Sequence, residues 1–203
     1  VVDYLKEQYG DRFEYAAERD IFYYVYDGEI LRTLKGRKNS KKRNHINYFL
    51  SEYEGRFEYR LLGKADFDDC RQLLDDWTVN KEENNNIEEG VDDERLGIEK
   101  LFAHYDEVCD RLKIAGIYID GKLEAFTMGE LLNNNMALIH IEKANPEIRG
   151  LYPYINQQFL VHEFPDVEFV NREEDMGIEG LRKAKLSYHP CKFVEKYTVR
   201  EAN

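Results

Sequence analysis

IAGIYIDGKLEAFTMGELLNNNMALIHIEKA, residues 114–144, decides the fold. Ile114 to Asp120 is a short apolar run and Lys122 to Leu132 supplies a partner of the same character. Asp120-Gly121 between them is a strong two-residue hairpin signal, because that turn needs positive φ at both central positions. Asn133-Asn134-Asn135 marks a second turn into a third strand, Met136 to Ala144. Strands joined by turns this short pair antiparallel, so the segment predicts a meander. Side chains alternate along a strand, which places His140 and Glu142 on one face and Ile139, Ile141 and Lys143 on the other.

Upstream, Arg56 to Leu62 alternates as a short strand that Gly63 ends. Asp66 is suited to cap a helix carrying Phe67, Cys70, Leu73, Leu74 and Trp77 at helical spacing. Lys81 to Glu89 reads as a solvated loop, and Asp92 to Leu112 as one further helix. Downstream, Pro146 to Gly150 is a loop and Pro153 suits the first turn of a helix facing Ile155, Phe159 and Leu160 inward. Val167 to Asn171 is a strand, Gly177 to Ser187 a helix, and Pro190 precedes a last strand, Lys192 to Val199. From residue 56 the order is β-α-α-β-β-β-α-β-α-β. That predicts an α/β fold with a mixed central sheet flanked by helices, and it is the element order of the GNAT acyltransferase core.

An LRxxK echo relates Leu31-Arg32-Thr33-Leu34-Lys35 to Leu181-Arg182-Lys183-Ala184-Lys185, each after an acidic-basic cluster. Residues 1–53 are therefore expected to be the C-terminal remainder of a first GNAT-like repeat plus a basic connecting helix. Residues 54–203 are expected to form a complete GNAT-like domain. Ser40 is placed to cap the connecting helix, whose first turn crowds Arg37, Lys38, Lys41, Lys42 and Arg43. The helix macrodipole disfavours cations there unless an anion joins them, so Arg37, Lys41, Lys42 and Arg43 are candidate contacts to an anion or a nucleic acid.

At 203 residues the chain is long enough to bury an enzyme-sized core. Its formal charge of −12 opposes indiscriminate binding to nucleic acid or anionic lipid, leaving only a local basic patch for that purpose. No apolar stretch approaches a membrane-spanning length. Cys70, Cys109 and Cys191 are isolated and odd in number, which reads as reduced thiols in a cytoplasmic protein. The histidines form no metal pair, so no metal site is expected.

Five phrases carry a resemblance: KKRNHINYF at 41–49, DGKLEAFTMGE at 120–130, HIEKAN at 140–145, INQQF at 155–159 and NREEDMGIEGLRKAKLSYHP at 171–190. In them the chain resembles the bacterial family allied to phosphatidylglycerol lysyltransferase C-terminal domains. Those proteins are similar to tandem GNAT-like, Fem-type transferases that take aminoacyl-tRNA as donor. The resemblance implies acyl or aminoacyl transfer to an amine or hydroxyl, with a small molecule or lipid headgroup as acceptor and tRNA as a partner.

Such transfer needs a base for the acceptor and an anchored donor. Glu142 is the first candidate for a base or an amine-binding carboxylate, and Glu130, closing the preceding strand, the second. Asn145, Arg149 and Gly150 occupy the loop where GNAT enzymes hold a donor pyrophosphate on a helix N-terminus. Here the loop lacks the usual (Q/R)xxGx(G/A) spacing, which sets acetyl-CoA behind aminoacyl-tRNA as donor. Arg172, Glu173 and Arg182 flank the final helix, and the resemblance associates Lys185 with the donor. Tyr188 stands at a corner where a tyrosine either packs or protonates a leaving group. The alternatives to aminoacyl transfer are an acetyl-CoA-dependent N-acetyltransferase and a non-catalytic binding module.

Overall fold

The computed structural model describes residues 1–83 and 91–202, so part of the expected 81–89 loop lies outside the described residues. In chain order come α1 (Val2–Tyr9), β1 (Phe13–Ala17), β2 (Tyr23–Asp27), α2 (Gly28–Thr33), α3 (Ser40–Glu52), β3 (Phe57–Leu61) and α4 (Phe67–Glu83). They are followed by α5 (Val91–Ala103), α6 (Tyr105–Val108), β4 (Lys113–Ile119), β5 (Lys122–Asn133), β6 (Met136–Ala144) and α7 (Leu151–Glu163). The chain ends with β7 (Phe169–Asn171), α8 (Glu179–Leu186), β8 (Lys192–Val194) and β9 (Tyr197–Glu201). Two compact units result, Asp27–Val170 and the paired segments Val1–Tyr26 and Asn171–Asn203.

In the larger unit the expected meander is present, with β3, β4, β5 and β6 running antiparallel in that order. Asp120 and Gly121 have φ of 49° and 85°, the paired positive values that the Asp-Gly turn predicts. One face of the sheet packs on α4 and α5 through Leu62, Phe67, Cys70, Leu73, Leu74, Ile98, Phe102, Ile114, Phe126 and Met128. The other receives α7, and Gly129 allows the approach, since a Cβ there would lie 3.1 Å from the Phe159 ring and 2.7 Å from a backbone oxygen. Burial of this kind contributes about 25 cal/mol per Å² of apolar surface, which makes the two-sided sheet the main source of this unit's stability.

Four local readings are corrected. Asp66 is not the N-cap of α4 but closes a 3₁₀ turn, Lys64–Asp66, reaching back to the Gly63 N–H at 2.9 Å. Ser40 is the first residue of α3 rather than its cap; Asn39 precedes it, and no side chain caps the end. The helix expected over 92–112 breaks at His104, giving α5 and the short α6. The last strand divides into β8 and β9 because its halves take different partners: Lys192–Val194 pairs with Tyr23–Val25, and Tyr197–Glu201 with Phe13–Ala17.

Candidate functional site

Two groups of candidate residues are assembled, one within each unit.

In the larger unit, a β-bulge determines what β6 presents. Ile141 pairs with Met128 and Ile139 with Gly129, leaving His140 as the extra residue. The bulge resets the alternation, so Ile139 turns to the Gly129 and Phe159 side while Ile141 packs on the opposite core, contrary to the expectation that they share a face. His140 Nε2 lies 3.3 Å from Glu130 Oε1. Glu142 instead accepts a hydrogen bond from Asn156 Nδ2 of α7 at 2.8 Å. Asn156 is 2% exposed and its Oδ1 is buried with no hydrogen-bond partner, so this oxygen calls for a donor.

Around that pair the polar side chains are held firmly. One turn before Asn156, Tyr152 accepts a bond from Trp77 Nε1 at 3.0 Å, and burial pushes its hydroxyl pKa up to about 12. Lys143, on the opposite face from Glu142 as expected, lies 3.6 Å from the Trp77 ring centroid and pairs with Glu94 at 2.7 Å. Asn145 donates to Glu124 at 2.9 Å. Beside it a shallow cleft of about 140 Å³ is lined by Trp77, Asn80, Glu124, Asn145 and Glu147.

The loop candidates have structural roles that the sequence did not show. Gly150 has φ 91°, and a Cβ on it would fall 2.1 Å from the His45 carbonyl oxygen. The glycine is thus required by the packing of α7 on α3. Arg149 lies over the Tyr48 ring at 4.6 Å, and burial followed by the charges of Arg149, Lys41 and Lys42 lowers the His45 pKa. Arg43 donates to the carbonyls of Leu34 and Gly36, closing the end of α2, whereas Arg37 and Lys41 are exposed.

In the smaller unit the centre is a residue given no role from sequence, Asp175. Its side chain has no exposure and accepts from the Tyr24 hydroxyl, from Arg182 at 2.7 and 2.9 Å, from Arg19 at 3.3 Å and from the Gly177 N–H at 2.9 Å. Burial alone would raise its pKa, but the bonds from Arg182, Tyr24 and Gly177 prevail and hold it at about 2. Arg182 also bonds Asp20 at 2.6 Å, so it is part of this ionic knot.

Lys185, buried on α8, donates to the carbonyls of Arg172 and Glu174. Burial, then the charge of Arg172, lowers its pKa to about 8. It clamps a tight loop in which Glu173 and Met176 both have positive φ, at 54° and 51°. The Arg172 guanidinium lies 4.9 Å from the Tyr188 ring, and the Glu173 N–H bonds Asn171 Oδ1 at 2.9 Å. Tyr188 itself is buried beneath that guanidinium.

Among the described residues no group of three or more His, Cys, Asp or Glu is placed to hold a metal, and no helix is long and apolar enough to cross a membrane. The mixed α/β architecture, its sheet flanked by helices, is GNAT-like, which makes the class of protein that of the acyltransferase fold. Within it, residues 2–200 match the model of the family described as "Phosphatidylglycerol lysyltransferase, C-terminal", and the chain belongs to that family.

An uncharacterised protein of Mycoplasmoides gallisepticum is 26% identical over 180 residues, covering 87% of this chain and 55% of that protein. A conserved protein of unknown function from Bacteroides thetaiotaomicron superposes with a TM-score of 0.90 at 35% identity, over 99% of this chain and 66% of that one. L-PGS from Bacillus licheniformis gives a TM-score of 0.61 at 15% identity, over 98% of this chain and 64% of that one, a likeness of fold alone. The chain thus spans little more than half of the curated relative and just under two thirds of these structures.

Proposed function

We propose that the chain is an acyl- or aminoacyl-transferase that moves its group from an activated donor, an aminoacyl-tRNA, to an amine or hydroxyl acceptor in the cytoplasm. A transferase of some kind is what the family and fold suggest. The observation that carries the finer reading is the Glu142–Asn156 pair, a carboxylate anchored to a buried amide whose oxygen still needs a donor. An acceptor amine meets both requirements, giving one N–H to Asn156 Oδ1 and another to Glu142.

The step forms a bond from acceptor nitrogen or oxygen to the acyl carbon and breaks the ester bond to the donor. The proton leaving the acceptor passes to Glu142 and from there to the departing donor oxygen. Glu130, hydrogen-bonded to His140, is the alternative base in the larger unit, and Lys185, Arg172 and Glu173 of the smaller unit are proposed separately as donor contacts, Arg182 being engaged by Asp175 and Asp20. A lipid headgroup and a small amine are both acceptors of suitable chemistry. Residues 1–53 belong to the same proposal as the remainder of an earlier repeat. Because the requirement for glycine at position 150 follows from the contact with His45, that residue lends no separate support to coenzyme A.

Glu142→Gln keeps the bond to Asn156 within reach while removing the base, and is expected to lower transfer by about 10² to 10⁴-fold. Charged tRNA with labelled amino acid, presented with primary amines and with lipid vesicles, reads this directly. An active protein whose transfer is untouched by both Glu142→Gln and Lys185→Ala would show that the site has been misplaced.

A further inference from the structure

An asparagine in the middle of α7, among the buried residues Tyr154, Ile155, Phe159 and Leu160, takes an amide out of water and so needs partners for both of its ends. Only one end has a partner: Nδ2 donates to Glu142 Oε2 at 2.8 Å, and Oδ1 bonds nothing. The two ends cannot exchange places, since a carboxylate accepts hydrogen bonds and does not donate them. The helix itself is held on either side of Asn156, where Trp77 bonds Tyr152 at 3.0 Å and Gln157 bonds the Arg32 carbonyl at 2.8 Å. An acceptor oxygen is therefore fixed beside the carboxylate, buried and waiting for a donor.

Transfer through Glu142 sets a condition on that donor, because the attacking group must give one proton to the carboxylate. An alcohol has no other proton, so Oδ1 stays buried and unbonded while it reacts. A primary amine arrives as the ammonium ion, loses a proton to solvent and attacks with two N–H bonds. As the N–C bond forms and the donor ester C–O bond breaks, one proton passes through Glu142 to the departing oxygen. The other stays on nitrogen as the N–H of the amide product and bonds Oδ1 throughout. A secondary amine, like an alcohol, is left with none. Charge points the same way. Asn145, just beyond Glu142 in the chain, lines the cleft with Asp76, Glu124 and Glu147. These acids, offset in part by Lys122 on Asp76, draw in a cation and repel the phosphate of a lipid headgroup.

We propose that Asn156 Oδ1 selects a primary amine as the acceptor and rejects hydroxyl compounds and secondary amines. For its use in transfer this selection rests on the transferase reading.

Butylamine, N-methylbutylamine, N,N-dimethylbutylamine and butanol form a matched set of probes. Binding without any donor is followed by the side-chain amide signal of Asn156 in isotope-labelled protein. Butylamine is expected to bind about tenfold or more tightly than its dimethyl derivative, which has the same charge but a single N–H. With charged tRNA as donor, butylamine is expected to be preferred over butanol and N-methylbutylamine. Asn156→Leu, close in volume, and Asn156→Ala are each expected to reduce both preferences by about 10- to 100-fold, with circular dichroism checking that they fold. A structural asparagine would instead lower every acceptor alike.

An amide signal that no amine moves, equal binding of butylamine and its dimethyl derivative, or preferences that survive in folded variants overturn the selection and leave Oδ1 to an ordered water. The two readings fail separately. Butylamine binding that depends on Asn156, without transfer to any probe, sinks the transferase alone. Transfer that depends on Glu142 but prefers butanol or phosphatidylglycerol vesicles sinks the selection alone.

Discussion

The protein gathers arginines and lysines in two places under opposite conditions. Around Asp175, Arg19 and Arg182 converge on a carboxylate with no exposure, and Asp20 takes up a further N–H of Arg182. Arg37 and Lys38 in the 3₁₀ turn before α3, Lys41 in its first turn and Arg149 across from them carry no ion pair among the described residues. The first cluster is matched in charge, Arg19 and Arg182 against Asp175 and Asp20. The second has excess positive charge at a helix end that repels it. Residue type does not separate a cation that closes an ionic network from one left in excess; the local balance of charge does.

The sharpest way to break this contrast is Asp175→Asn, which leaves two guanidinium groups and the Tyr24 hydroxyl around a neutral amide. Removing one partner of a buried ionic network costs about 3–5 kcal/mol, and urea unfolding at neutral pH is expected to show a loss of that order. The same residue sets an acid limb. Its folded pKa, about 2, is below the ordinary 3.8, so its contribution is complete above 3.8 and is lost as pH falls toward 2. The variant is expected to lack that part of the acid transition.

Next in size is Gly150→Ala, directed at the exposed cluster. The new Cβ meets the His45 carbonyl at 2.1 Å and the backbone must hold φ 91°, together costing about 3 kcal/mol or more. Because the clash pushes the start of α7 away from α3, Arg149 leaves the Tyr48 ring. The urea midpoint is expected to fall accordingly, and an unchanged midpoint would show that the fold does not depend on this contact.

The sequence displayed the meander, the Asp-Gly turn and the apolar faces of α4 and α7, because their periods and turn chemistry are local. It hid what depends on a partner distant in the chain. The bulge at His140 arises only when β6 pairs with β5, and the division of the last strand only when Tyr23–Val25 and Phe13–Ala17 claim its halves. Glu142 and Lys185 could be picked out by residue type and position, but not the contacts the structure gives them, Asn156 for the first and the Arg172 and Glu174 carbonyls for the second. Asn156 was not assigned, although an asparagine between the core residues Ile155 and Phe159 was the signal that could have found it. Asp175 was legible only as part of an acidic run, since its arginines are far off in sequence or arrive from the next helix.

A smaller effect sharpens the contrast from inside the smaller unit. Lys185 is buried but pairs with carbonyls rather than a carboxylate, which places it between the two clusters in charge balance. Its folded pKa of about 8 is below the ordinary 10.5, so below pH 8 it is protonated in both states and the burial penalty is present in full. Between 8 and 10.5 the unfolded chain holds more protons, and stability rises by about 2 kcal/mol as that penalty is relieved. Lys185→Met is expected to abolish this rise, measured as the difference in urea midpoint between pH 7 and pH 9.5 for the variant against the unaltered chain.

The smallest effect is the most discriminating, because its sign is opposite in the two clusters. Lys41→Glu puts an acid in the first turn of α3, which has none, at the end of the helix that favours it, and removes repulsion toward Arg149 and Arg37. A surface substitution that only disturbs structure lowers stability, as changes at Asp175 do. Here the unfolding free energy is expected to rise, by about 0.5–1 kcal/mol at low ionic strength, and the gain to shrink in salt. A residue kept at a cost to stability is retained for something outside the fold. A Lys41→Glu variant that is instead less stable would mean that this cation is structural after all, and that the two clusters differ in exposure and not in kind.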